Sequence, residues 1–231
     1  MSANRLHRLT TAVRLRGVQV ETDSTAGLSA LQVRDLSVTS GTLVAVQGRS
    51  ANEVHTLLLT LAGRVALAGG SLEIAGAPVS RRGTDAVRSP EPWRRRVGFV
   101  DARPVLFGHL SVAGNIGLPV RWSGKRHPRE EIGKLCRSVG LDAVNDCWPA
   151  ELDPAEQQRV AIAMALAYDP DLLVVAADPG SAGLDQLSRT LVDLVRLEGR
   201  TIVTSLATPI VQAGADQVLT LLDGRPIGTN A

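Results

Sequence analysis

Apolar and polar residues alternate over 15–20 and again over 28–38, the pattern of strands with one wet face, and a turn at 23–27 divides them. This pair predicts an antiparallel edge sheet. A second kind of strand shows no alternation: 43–46, 172–177 and 201–204 are apolar throughout, and a helical stretch over 185–197 lies between the last two. Strands apolar on both faces and interleaved with helices predict a parallel sheet covered on both sides. Shorter strands are expected at 70–76 and 97–100, and 216–224 reads as a strand ending in a turn. A loop rich in Arg, Gly, Ser and Pro spans 80–92. From 111 to about 164 the chain reads as mainly helical, with helices expected at 112–116, 129–139 and 156–167.

Length and composition narrow the picture. A chain of 231 residues that is 44% hydrophobic can bury one sizeable core. We expect a single α/β domain over 1–231, with a core at about 12–110 and 166–231 and a helical lobe at about 111–165. The longest purely apolar run, 172–177, is far short of the roughly 20 residues that cross a bilayer, and no charged-then-apolar leader is read at the start. The net charge of +2 comes mostly from arginine, since Lys125 and Lys134 are the only lysines. No basic stripe interleaved with aromatics is present, so nucleic acid is not an expected partner. Cys136 and Cys147 fit neither a metal pair nor a redox motif and are expected to be small buried apolar groups.

The segment Gly48-Arg49-Ser50-Ala51-Asn52-Glu53-Val54-His55-Thr56 follows an apolar strand and opens an apolar helix over 57–63. This is the setting of a phosphate-binding loop, in which glycines aim backbone N–H groups at phosphate and a lysine neutralises it. Here Ala51 and Glu53 stand at the inner glycines and Val54 at the lysine. Losing one charge-assisted hydrogen bond costs about 1.5–3 kcal/mol before the Glu53 carboxylate adds repulsion. Thr56 keeps a hydroxyl, but His55 fills the place that reaches magnesium. Arg49, at the loop's outer edge, is expected to face solvent.

Beyond this loop, the order of the pieces from about 15 to 227 resembles the ATPase subunits of ABC transporters, and among them the lipoprotein-release and macrolide-efflux type. The resemblance rests on the loop at Gly48, on Val97-Gly98-Phe99-Val100 followed by Leu106-Phe107-Gly108, on Asn115 to Val120 as a helix and following strand, and above all on Gln157-Gln158-Arg159-Val160-Ala161-Ile162-Ala163. It implies a P-loop NTPase-like mixed sheet with an antiparallel edge subdomain and a smaller helical lobe.

It also implies roles, and of these this chain keeps only the turn Gly183-Leu184-Asp185. The glutamine that senses magnesium and couples to the membrane partner falls on Ala102. The signature, which contacts nucleotide bound to the opposite subunit, falls on Asp153-Pro154-Ala155-Glu156-Gln157; Asp153 repels phosphate there and Pro154 removes a backbone donor. The acids of the second carboxylate motif fall on Ala176 and Ala177 in one register. In another they fall on Asp178 and Pro179, and a third reads Asp178-Pro179 as a shortened base. The switch histidine falls on Ser205. The adenine-stacking aromatic is missing near Glu21 and Thr22. Gly183-Leu184-Asp185 resembles the turn that crosses the dimer interface.

Lysine, sensing glutamine, base and switch histidine are thus lost together, although phosphoryl transfer depends on positioning and charge stabilisation. The resulting expectation is a non-hydrolysing subunit that binds ATP and magnesium weakly or not at all, with Asp178 the one remaining metal ligand. Its partners would be an ABC ATPase subunit, as a hetero- or homodimer, and a membrane permease that places it at the cytoplasmic face of the membrane. A working ATPase with unusual residues and a nucleotide-independent binding module using Arg49, Glu53 and His55 remain the alternatives.

Overall fold

The computed structural model describes residues 11–230 except 24, 26, 79–96, 179 and 181. The expected loop at 80–92 and the site position Pro179 therefore lie outside the described residues. The first sheet has the order β2-β1-β4-β5 and is antiparallel, built from β1 (Thr11–Val20), β2 (Leu31–Thr39), β4 (Gly69–Ile74) and β5 (Ala77–Pro78). The second has six strands in the order β10-β9-β3-β8-β7-β6. Its parallel part comprises β3 (Leu43–Gly48), β6 (Val97–Val100), β7 (Leu172–Val175), β8 (Ile202–Thr204) and β9 (Gln217–Leu222), and β10 (Arg225–Asn230) closes it antiparallel to β9.

The lack of alternation in the central strands has a direct cause. Leu43 and Ala45 of β3, with Leu173 and Val175 of β7, face a cluster formed with the helices α2 (Val112–Trp122), α3 (Pro128–Ser138), α4 (Pro154–Leu166) and α5 (Leu184–Glu198). Val44 and Val46, with Leu172 and Val174, face the opposite cluster, shared with α1 (Ala51–Leu61) and the antiparallel sheet. Both faces are dry, so both must be apolar. A short helix, α6 (Pro209–Gly214), and strand β10 were not anticipated; the helix spans under two turns, and Pro226 and Gly228 break any alternation along the strand.

Two expected boundaries need correction. The helix expected to begin at Leu57 begins at Ala51, because Ser50 caps it: its Oγ accepts from the Glu53 N–H at 3.4 Å and its carbonyl from the Val54 N–H at 3.2 Å. The helix expected at 112–116, followed by a strand, instead runs unbroken through Pro119 to Trp122. Val112, Ile116 and Val120 recur every fourth residue and are all completely buried, so one helical stripe outweighs the proline. Cys136 is buried as expected, where desolvation raises its pKa, whereas Cys147 is only partly so.

Two buried polar side chains set the shape of the helical region. Asn115 accepts from the Phe107 N–H at 2.8 Å and donates to the Phe107, Leu110 and Ser111 carbonyls, which shapes the loop ahead of α2. Arg159 of α4 donates to the Val139 and Gly140 carbonyls at 3.3 and 2.8 Å, holding the end of α3. Burial lowers its pKa, with Glu156 acting in the opposite direction. Asn115→Ala removes the acceptor of the part-buried Phe107 N–H and the donor to three carbonyls, and is expected to lower stability by about 1–3 kcal/mol, read from the urea midpoint at unchanged m-value.

Candidate functional site

The parallel strands deliver the loop at Gly48, the segment after β6, the segment after β7 and Ser205 to one edge of the sheet, outside the strands' carboxyl ends. This is where open α/β sheets bind ligands. What the side chains do there differs from one position to the next.

At the end of β3, the Val54 side chain turns inward. It is 7% exposed and belongs to the apolar cluster with Leu219 and Leu221. A Cβ added to Gly48 would lie 3.1 Å from both Val54 Cγ2 and Leu221 Cβ, so a side chain there would press on both. The donors that a phosphate cradle would present are committed: the Glu53 and Val54 N–H groups bond to Ser50, as described for the cap. Thr56 is completely buried; its hydroxyl donates to the Asn52 carbonyl at 2.8 Å and accepts from the Ser29 N–H at 2.9 Å. Arg49, Ala51 and Asn52 are exposed, and Glu53 and His55 are half-buried.

The segments after β6 and β7 are joined by side chains. Asp178 Oδ1 accepts from the Gly180 N–H at 3.0 Å, and its Oδ2 faces the Arg103 guanidinium at 3.4 Å. The Gly180 hydrogen bond, followed by Arg103, lowers the Asp178 pKa. Arg103 lies next to Ala102, whose side chain packs against the apolar cluster under α1. Gln158 of α4, 1% exposed, donates to the Asp101 carbonyl at 3.0 Å and to the Ala176 carbonyl at 2.7 Å. Ser205 Oγ accepts from the Ala177 N–H at 2.9 Å. Among the described residues no cluster of three or more His, Cys, Asp or Glu side chains is arranged to hold a metal ion.

The start of α4 is also closed on itself. Asp153 caps it, its Oδ1 accepting from the Glu156 N–H at 2.7 Å, while Glu156 Oε2 accepts from the Asp153 N–H at 3.0 Å. Pro154 fills the first helical position and Ala155 is buried. Gln157 donates to the Pro149 and Leu152 carbonyls. Gly183 packs beside this helix end: a Cβ there would lie 2.9 Å from Ala155 Cβ and 3.2 Å from Asp153 Oδ2, and its φ of +76° favours glycine. Leu184 is half-buried and Asp185 exposed; Glu21 and Thr22 are exposed as well. The Asp153–Gly183 and Arg103–Asp178 approaches join residues 30 or more positions apart, and nothing in the sequence signals them.

Beside the segment after β6 lies an apolar groove of about 390 Å³, walled by Phe99, Pro104, Val105, Phe107, Trp122 and Tyr168. Val105 and Trp122 are 94% and 72% exposed. The Arg64 guanidinium stacks over the Phe99 ring, 4.8 Å from its centroid, at the rim.

Comparison with known proteins places these features in context. A family model described as ABC transporter matches residues 31–175. The lipoprotein-releasing system ATP-binding protein LolD of Hyphomonas neptunium is 33% identical over 224 residues, covering 92% of this chain and 95% of that protein. The macrolide export ATP-binding/permease protein MacB of Rhodopseudomonas palustris is 32% identical over 219 residues, and there the chain spans only 33% of the relative's length. The dimeric structure of the bacterial ABC transporter cassette MJ0796 superposes with a TM-score of 0.76 at 21% identity, covering 94% of this chain and 97% of that one.

The Asp178 geometry has a pH consequence. Its folded-state pKa lies below that of an unfolded aspartate, about 3.9, so the stability it contributes is present above that value and is lost as pH falls through the folded pKa. Carboxyl-carbon NMR is expected to show Asp178 titrating below free aspartate, and Arg103→Ala is expected to move the midpoint upward.

Proposed function

From its membership of the ABC transporter family, to which this chain belongs, we propose that it acts as a non-hydrolysing nucleotide-binding-domain subunit. The observation that carries this reading is Val54. The position that supplies the phosphate-neutralising lysine in a P-loop holds an apolar side chain, 7% exposed and part of the apolar cluster that includes Leu221. The other side chains support it. Ala102 and Ser205 bear no group that could sense magnesium or act as the switch histidine, and both carboxylate oxygens of Asp178 are engaged by Gly180 and Arg103. Asp153 places its own carboxylate on the helix end that a phosphate would use.

In this role the chain pairs with an ATPase subunit through the face bearing Asp153 and Gly183-Leu184-Asp185, and it contributes shape rather than chemistry. The groove beside Val105, Phe107 and Trp122 is the surface we assign to a membrane permease, because it adjoins the segment where the family's coupling glutamine is replaced by Ala102. No helix among the described residues is long and apolar enough to cross a membrane, so attachment to the cytoplasmic face rests on that partner. MacB, an ATP-binding/permease protein, joins the two functions in one protein, which fits such a pairing.

The test is turnover and binding together. The purified chain is expected to hydrolyse MgATP no faster than its Asp178→Ala variant, and millimolar MgATP is expected to leave its melting temperature unchanged, since any ligand bound only by the folded state raises stability. Turnover above background that Asp178→Ala abolishes would overturn the reading. A raised melting temperature without turnover would reduce it to a subunit that binds nucleotide without cutting it.

A further inference from the structure

We propose that Arg103, Asp178 and Gln158 form a metal-free latch that fixes the segment after β6 against the segment after β7. The inference concerns the resting arrangement of these segments, and it stands whether or not the chain hydrolyses ATP.

The three side chains act between the same two pieces of chain. Gln158 donates to Asp101 on one side and Ala176 on the other, at 3.0 and 2.7 Å. Its Oε1 is buried without a partner, so the two donated bonds set the direction of the side chain. Two residues further along each segment, Arg103 reaches Asp178 at 3.4 Å. The Gly180 N–H holds the other oxygen of that carboxylate at 3.0 Å, which leaves Oδ2 aimed at the guanidinium. Ser205 then fastens the segment after β7 to the end of β8 through the Ala177 N–H at 2.9 Å.

On the segment after β6, Ala102 offers no side-chain ligand, and the Asp101 carboxylate accepts from the Ala102 N–H at 2.7 Å. The guanidinium supplies positive charge to Asp178 from within the chain. Pro104 and Val105, which wall the apolar groove, directly follow Arg103, so the latch holds that rim in one position without nucleotide or metal. An exposed ion pair alone contributes little, and here it adds to the buried Gln158 bridge rather than replacing it.

Backbone ¹⁵N relaxation on the full chain tests this. In the wild type the amides of residues 102, 103 and 105 are expected to show order parameters near the rigid value of about 0.85, unchanged by EDTA, MgCl₂ or MgATP. Gln158→Leu, which removes both donated bonds, is expected to lower them toward the mobile range, below about 0.6, while Arg103→Ala and Asp178→Asn each lower them by a smaller step, with the double variant of the pair no lower than either single one. Amides of β3 and α1 should stay rigid in all variants, which separates loss of the latch from loss of the fold. Unchanged order parameters in Gln158→Leu or in both single variants of the pair, or a wild-type segment that becomes rigid only with MgATP, would overturn the proposal.

Discussion

The requirement that β3, β7 and β8 bury both faces organises the rest of the molecule. Their residues alternate between two apolar clusters, Leu43 and Ala45 to one side and Val44 and Val46 to the other, so helices must cover one face and a second sheet the other. Layers on both faces force the chain to cross over between parallel strands, and the loops that follow the strands gather at one edge. That edge carries Gly48, Arg103, Asp178 and Ser205 because of the topology, whatever chemistry those residues retain.

At the same edge, polar groups satisfy one another. Ser50 caps α1, Asp153 and Glu156 cap α4 reciprocally, Thr56 bonds to Asn52 and Ser29, and Gln158 spans two carbonyls. Helix N-termini and strand ends leave unpaired donors that attract anions. Here side chains take up several of those donors, and Val54 lies in the apolar cluster beneath them.

Much of the architecture was legible in the chain. The 3.6-residue stripe of α5 and the unbroken apolar runs of β3 and β7 declared their elements, and collinear motifs pointed to the family. Boundaries were less legible where a local cap or a packing stripe decided them: Ser50 starts α1 six residues early, and Val112, Ile116 and Val120 carry α2 through Pro119. Helix α6 is under two turns long, and Pro226 and Gly228 interrupt the alternation of β10, so neither showed a period. Within the site, the positions could be named from the alignment of motifs, but the partners of those positions could not.

Taken alone, the order of residues determined the alternation of strands and helices, the apolar residue at Val54 and the absence of a histidine after His127, because identity and periodicity are local properties. Tertiary structure decided which partner each of these residues finds. Val54 shares an apolar cluster with Leu221, Asp178 meets Arg103 across 75 positions, and Gln158 joins Asp101 to Ala176. Those pairings exist only once the parallel sheet has brought its strand ends to a common edge, and no spacing along the chain encodes them.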